Sequence, residues 1–150
     1  MTSDSAPTDG SLQVEEREAL RRVAGLSTEL TDISEVEYRQ VRLERVVLIG
    51  VWTSGSAAQA DRSMQELARL AETAGAVVLD ALVQRRSTPD AGTYVGSGKA
   101  RELAELVRAL DADTLICDGE LTPGQLSQLE KVVKVKVVDR TWLILDIFAQ

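Results

Sequence analysis

The sequence predicts an α/β fold: a four-stranded, mainly parallel sheet in the order β-α-β-α-β-α-β, flanked by helices and followed by the start of a long C-terminal helix. Three observations carry this. Short runs rich in Val, Ile and Leu alternate with segments of helical period from Arg45 onward. The runs lack strict polar alternation, as expected of strands covered on both faces. At 150 residues the chain has the size of one ordinary domain.

The elements follow in order. Residues 1–13 are small and polar, too poor in apolar groups to fold alone, and read as a disordered tail. Residues 14–43 form an extension in which Val14 to Ala24 predicts a short amphipathic helix, with Leu20, Val23 and Ala24 on one side. The domain itself is assigned to 44–140. Its strands are the runs Val46–Val51, Ala76–Val83, Thr114–Asp118 and Val135–Val138; Lys136 interrupts the last, which marks an edge strand.

Met64, Leu67, Ala68 and Ala71 make one helix face, and Gly75 is placed to end that helix. Ala100, Leu103, Ala104, Val107 and Leu110 make a second. The third helix opens at Thr122-Pro123-Gly124-Gln125, where Thr122 caps, Pro123 suits the first position and Gln125 closes a capping box. Leu126, Leu129 and Val133 then face the sheet. Residues 141–150 begin a helix that is apolar nearly all round, from Trp142 to Phe148, and such a helix calls for burial. The expectation is a fragment that stops inside an element, with self-association through this segment.

Composition removes several chemistries. Cys117 is the lone cysteine and histidine is absent, which excludes disulfides, Cys/His zinc sites and Ser-His or Cys-His nucleophile pairs within the chain. No apolar run is long enough to span a membrane and the N-terminus lacks the pattern of a signal peptide, so no membrane partner and a cytoplasmic location are expected. The net charge of −7 argues against indiscriminate nucleic-acid binding, yet charge is uneven. Residues 1–44 hold ten acids and five arginines, whereas Arg85, Arg86, Lys99 and Arg101 are accompanied in their window by Asp90 alone.

The stretch Thr93-Tyr94-Val95-Gly96-Ser97-Gly98-Lys99-Ala100-Arg101 suggests a nucleotide loop and falls short of one. A Walker A loop would need a glycine where Thr93 stands and a magnesium-binding hydroxyl where Ala100 stands. The dinucleotide fingerprint would need a third glycine at Arg101. What remains is an uncapped helix start at Ser97 and Gly98 beside Lys99, which favours an anion. Arg85 and Arg86 leave the carboxyl end of the second strand, where ligands of parallel sheets collect. RNA phosphate would suit Arg85, Arg86, Gly96, Ser97, Gly98, Lys99 and Arg101; a tight turn with a solvated basic rim is the competing account.

Asp118, Glu120 and Asp139 lie at strand ends where acids can bind metal or move protons, but no partner base is visible and no metal or catalytic site is assigned. A phosphoacceptor receiver shares the topology, yet "VWTSG" stands where its acid pair should follow the first strand. Cys117 reads as a buried small residue, and Trp52 as a core or interface residue that could also stack on a base.

Three segments, "AGTYVGSGKARELAELV", "ICDGELTPGQLSQLEK" and "VKVVDRTWLILDIFAQ", together with "ERVVLIGV" and "ELARLAETAGAVVLDALVQRR", closely resemble the N-terminal domain of the HflX family, translation-factor-class GTPases of the large ribosomal subunit. The resemblance spans Glu44 to Gln150 and leaves residues 1–43 without a match. It implies a parallel α/β domain, a helical hairpin beginning near Thr141, and then a G domain, in a protein that associates with the 50S subunit and rRNA and splits stalled or stressed ribosomes. It also implies that GTP and Mg2+ belong to the G domain, so this segment needs no cofactor and does not hydrolyse GTP by the family mechanism. A nucleotide site at the GSGK loop, or a lid that restrains the G domain, are the alternatives.

Gly96, Gly98 and Lys99 fall on the family's glycine-rich loop, and Asp139-Arg140-Thr141 on its Asp-Arg-Thr motif. Arg140, Trp142, Leu145 and Phe148 are the residues expected to pack against the linker and G domain. Two positions depart from the family pattern: Gly119 replaces a more usual acid or amide, and Cys117 a larger apolar residue. In the Asp-Arg-Thr motif, Thr141 is expected to cap the departing helix, with an ion pair within the motif bracing it.

Overall fold

Residues 19–26 and 43–149 are described by the computed structural model. They form, in chain order, β1 (Arg21–Arg22), β2 (Arg45–Trp52), α1 (Ala57–Thr73), β3 (Val77–Arg85), α2 (Ser97–Leu110), β4 (Thr114–Cys117), α3 (Pro123–Val133), β5 (Lys136–Asp139) and α4 (Arg140–Ala149). The sheet runs β1-β3-β2-β4-β5. β2 is parallel to β3 and β4, and β4 to β5, as the four apolar runs predict. The expected 1–13 tail and the 14–18 part of the expected helix lie outside the described residues.

Two expectations need correction. The sheet has five strands among the described residues and is mixed, because β1 pairs antiparallel with β3. The segment 19–24, expected to be helical, supplies that strand instead. Tertiary partners decide this: Val23 is buried, its amide donates to the Ala81 carbonyl at 2.8 Å, and Arg22 meets the Asp80 carboxylate at 2.6 Å. Asp80 is 6% exposed and follows a bulge in β3, where Val46 pairs with Val78 but Val47 with Asp80. A bulge redirects the side chains around it, and here a buried acid results that Arg22 neutralises.

The sheet separates two apolar layers. α1 and α4 cover Val46, Leu48, Val78 and Val83, with Met64, Leu67 and Leu143 between. α2 and α3 cover Val47, Ile49, Leu79 and Leu115, with Leu103, Val107 and Leu129 between. Each helix begins and ends for a local reason. Ser56 and Gln59 close a capping box on α1, and Gly75, at φ +98°, follows its last turn. Thr122 and Gln125 close the expected box on α3. Lys136 does lie on an edge strand, β5.

Because the helix after β2 lies on one face and the helix after β4 on the other, the crevice between these neighbouring strands opens at their carboxyl ends. That is where open α/β sheets bind ligands.

Candidate functional site

At the carboxyl edge of β3 the chain turns from apolar to basic. Arg85 ends the strand with its guanidinium 5.6 Å from the centroid of the Trp52 ring. The Arg86 amide donates to the Trp52 carbonyl at 3.2 Å, and its side chain donates to the carbonyls of Thr88 at 3.0 Å and Val95 at 3.3 Å. Arg86 is therefore fastened against the glycine-rich loop. Gly96 has φ +93°, and a Cβ there would stand 3.1 Å from the Arg86 guanidinium, so both conformation and space call for glycine.

α2 begins directly after Gly96 with no side-chain cap, as expected, leaving its first amides without helical partners. Arg86 is thus brought to the start of α2 at Gly96, Ser97 and Gly98, whereas Arg85 is turned to Trp52. Lys99 stands beside them, but its ammonium pairs with Glu102 at 3.1 Å. Arg101 is exposed in the first turns of α2.

The loop between β3 and α2 is held from below. Asp90 and Tyr94 exchange backbone hydrogen bonds of 2.9 and 3.0 Å. The Asp90 carboxylate accepts the Thr93 amide at 2.8 Å, the Gly92 amide at 2.9 Å and the Thr93 hydroxyl at 3.1 Å. The Thr93 amide foremost, with those other donors and the Arg86 charge, holds this carboxyl below the ordinary range. Gln125 adds a bond from its amide to the Asp90 carbonyl at 2.8 Å.

Tyr94, at φ +70° and 3% exposed, pushes its ring into the crevice between β2 and β4, where its hydroxyl accepts the Val51 amide at 3.1 Å. Burial pushes its phenol well above the ordinary value. Gly119 makes room: a Cβ there would lie 3.2 Å from the Tyr94 hydroxyl. Sequence reasoning passed over Tyr94; the available signal was an aromatic hydroxyl inside an otherwise small-residue loop.

The acids after β4 and β5 work internally. Asp118 accepts from Arg140 at 2.6 Å and from the Ser63 hydroxyl at 2.6 Å, and Arg140 also donates to the Ser63 carbonyl at 2.8 Å. Asp139 accepts the Trp142 amide at 2.9 Å and the Leu121 amide at 3.0 Å. Asp139, not Thr141, therefore caps α4, and the partner of Arg140 is Asp118 rather than its neighbour in the motif. The Thr141 hydroxyl instead reaches Glu120 at 3.4 Å. Cys117 is fully buried, which raises its thiol pKa. No cluster of three or more His, Cys, Asp or Glu able to hold a metal occurs among the described residues.

A cleft of about 200 Å³ lies between the end of β2 and the first turns of α1, bordered by Trp52, Ser54, Gln59, Ser63 and Asp118.

α4 is less covered than its composition predicts. Leu143 is buried, Trp142 is half-buried under the Lys136 ammonium at 4.4 Å, and Leu145 and Phe148 are 64% and 81% exposed. A single helix laid on α1 buries one side only, so the four expected packing residues divide: Arg140 is engaged internally, whereas Leu145 and Phe148 present an apolar face. No helix of the described residues is long and apolar enough to cross a membrane.

A family model described as "GTP-binding GTPase N-terminal" matches residues 61–149. Among curated relatives, GTPase HflX of Lacrimispora saccharolytica is 45% identical over 122 residues, covering 81% of this chain and 27% of the relative. GTPase HflX of Escherichia coli (strain K12) is 38% identical over 107 residues, covering 71% and 25%. The chain thus spans about a quarter of the length of the relatives it matches. A solved structure described as "crystal structure of SsGBP and GDP complex" aligns with a TM-score of 0.54 at 20% identity, over 71% of this chain and 29% of that one; at that identity the likeness speaks for the fold alone.

Proposed function

Because the chain belongs to the HflX family of GTPases, whose N-terminal domain it carries, we propose that it is the ribosome-docking domain of an HflX-like GTPase, one that associates with the 50S subunit through rRNA and promotes ribosome splitting under stress. The observation that carries this reading is the bond from Arg86 to the Val95 carbonyl, which fastens the basic end of β3 to the uncapped start of α2. It makes one anion-facing rim from two separate elements. In this reading the net charge of −7 disfavours indiscriminate binding to polyanions and leaves docking to that rim.

The residues present do not fit GTP with Mg2+. Thr93 and Ala100 occupy the positions where a phosphate loop needs a glycine and a hydroxyl, and the Lys99 ammonium is shared with Glu102. In this reading GTP and Mg2+ belong to the family's G domain, and no chemical step is assigned to this domain.

The test is binding to isolated large subunits over a salt series, comparing the wild type with Lys99→Ala and with Arg85→Ala/Arg86→Ala. Each phosphate contact removed lowers the salt slope by about 1. Unchanged affinity and slope in both variants would remove the rim from the contact.

A further inference from the structure

We propose that the cleft between β2 and α1 takes one unpaired RNA nucleobase, stacked against Trp52, while the adjoining basic rim holds the flanking phosphates. This deepens the docking reading and rests on it for the source of the RNA.

Gly50 lines the cleft, and Met64 packs so closely on it that a Cβ there would stand 2.7 Å from the Met64 sulfur. The cleft volume of about 200 Å³ is below the roughly 300–1,000 Å³ typical of sites for drug-sized ligands. It suits a single flat heteroaromatic ring better than a whole nucleotide. Its floor is apolar, with Ala60, Met64 and Val83, and its border carries both donors and acceptors. The Gln59 carbonyl oxygen is committed to the Ser56 amide at 2.9 Å, which orients the rest of that amide. The Ser63 hydroxyl and Asp118 carboxylate are fixed by each other and by Arg140. Base edges present this same mixture of donors and acceptors.

Trp52 is an oriented platform. It is half-buried, its indole N–H donates to the Gly55 carbonyl at 3.3 Å, and Arg85 lies 5.6 Å from its ring centroid. Its carbonyl accepts the Arg86 amide, and the Arg86 side chain leads to Val95 at the start of the glycine-rich loop. Arg85 thus flanks the platform directly, and Arg86, the next residue, carries the basic charge on to the glycine-rich loop. Stacking next to a cationic track is the chemistry of single-stranded nucleic acid. A duplex keeps its bases stacked inside and offers such a platform nothing.

The test uses the full chain with Trp52→Leu and Trp52→Phe, after denaturation midpoints have shown both variants folded. It has three arms: isolated large subunits, a short single-stranded oligoribonucleotide with the same sequence as duplex, and a free nucleoside monophosphate as competitor. Trp52→Leu is expected to weaken binding to the subunit and the single strand roughly 5- to 30-fold without changing the salt slope, and Trp52→Phe to recover most of it. Wild-type affinity in Trp52→Leu, with affinity lost in Arg85→Ala/Arg86→Ala, would overturn the base cleft and leave the docking rim standing.

If the wild type ignores large subunits, the docking reading falls and the oligonucleotide arm still decides. Single-strand binding that depends on Trp52 supports the cleft; none overturns it. Equal binding of duplex and single strand also overturns it. Displacement of the RNA by micromolar nucleoside monophosphate would assign the cleft to free nucleotide instead.

Discussion

Arg140, the first residue of α4, meets Asp118, the residue after β4, at 2.6 Å. The other Asp118 oxygen holds the Ser63 hydroxyl of α1, and Arg140 reaches the Ser63 carbonyl as well. Three elements are joined at one carboxylate, which fastens the start of α4 to β4 and α1 while Leu143 packs into the core.

Arg140→Ala and Asp118→Ala are expected to cost about 2 kcal/mol each, less than a fully buried pair because both side chains retain some solvent. The double variant should cost clearly less than the sum, since either change alone strands the other partner. Urea denaturation of the four proteins checks this, and strict additivity would show that the two residues act independently.

Gly96→Ala and Gly98→Ala should act in opposite directions, although they stand two residues apart. At 96 the positive φ and the guanidinium at 3.1 Å make any side chain costly, by about 1–2 kcal/mol. At 98 nothing lies within 4 Å of an added Cβ, and alanine in the helix adds up to about 1 kcal/mol. Thermal midpoints of the two variants give the signs directly.

Asp90 predicts an acid-dependent contribution to stability. Its folded pKa lies below its unfolded value, so the contribution is fully present above about pH 4 and is lost as pH falls through the folded value. The difference in urea midpoint between wild type and Asp90→Asn should therefore shrink below about pH 4. A difference independent of pH would contradict the role given to this carboxylate.

Leu145→Ser/Phe148→Ser changes exposed residues, so folding stability should move by less than about 0.5 kcal/mol. Any self-association of the chain through α4 should fall. Sedimentation velocity of the variant beside the wild type is the measurement, and an undiminished oligomer would place that contact elsewhere.

The parts legible in the sequence are those that repeat locally. The apolar runs of β2 to β5, the Met64-Leu67-Ala68-Ala71 face of α1, the Thr122/Gln125 box and the edge role of Lys136 follow from periodicity and capping chemistry within a few residues. β1 was not legible, because two residues have no period and the pairing of Arg22 depends on Asp80, 58 positions away. The cap of α4 was misplaced for a similar reason. Both Asp139 and Thr141 are competent caps by type, and the geometry of β5 running straight into α4 chose Asp139.

Of the candidate rim, the sequence by itself determined which residues carry charge, which glycines permit the turn, and that α2 starts uncapped, since these are properties of residue type and near neighbours. Only the tertiary structure decided that Arg86 leans on the Gly96 loop and that Tyr94 fills the crevice between β2 and β4. Such contacts depend on how strands distant in the chain come to lie side by side. Hydrogen bonds form at angstrom range, and between residues far apart in the chain the sequence spacing does not fix that distance.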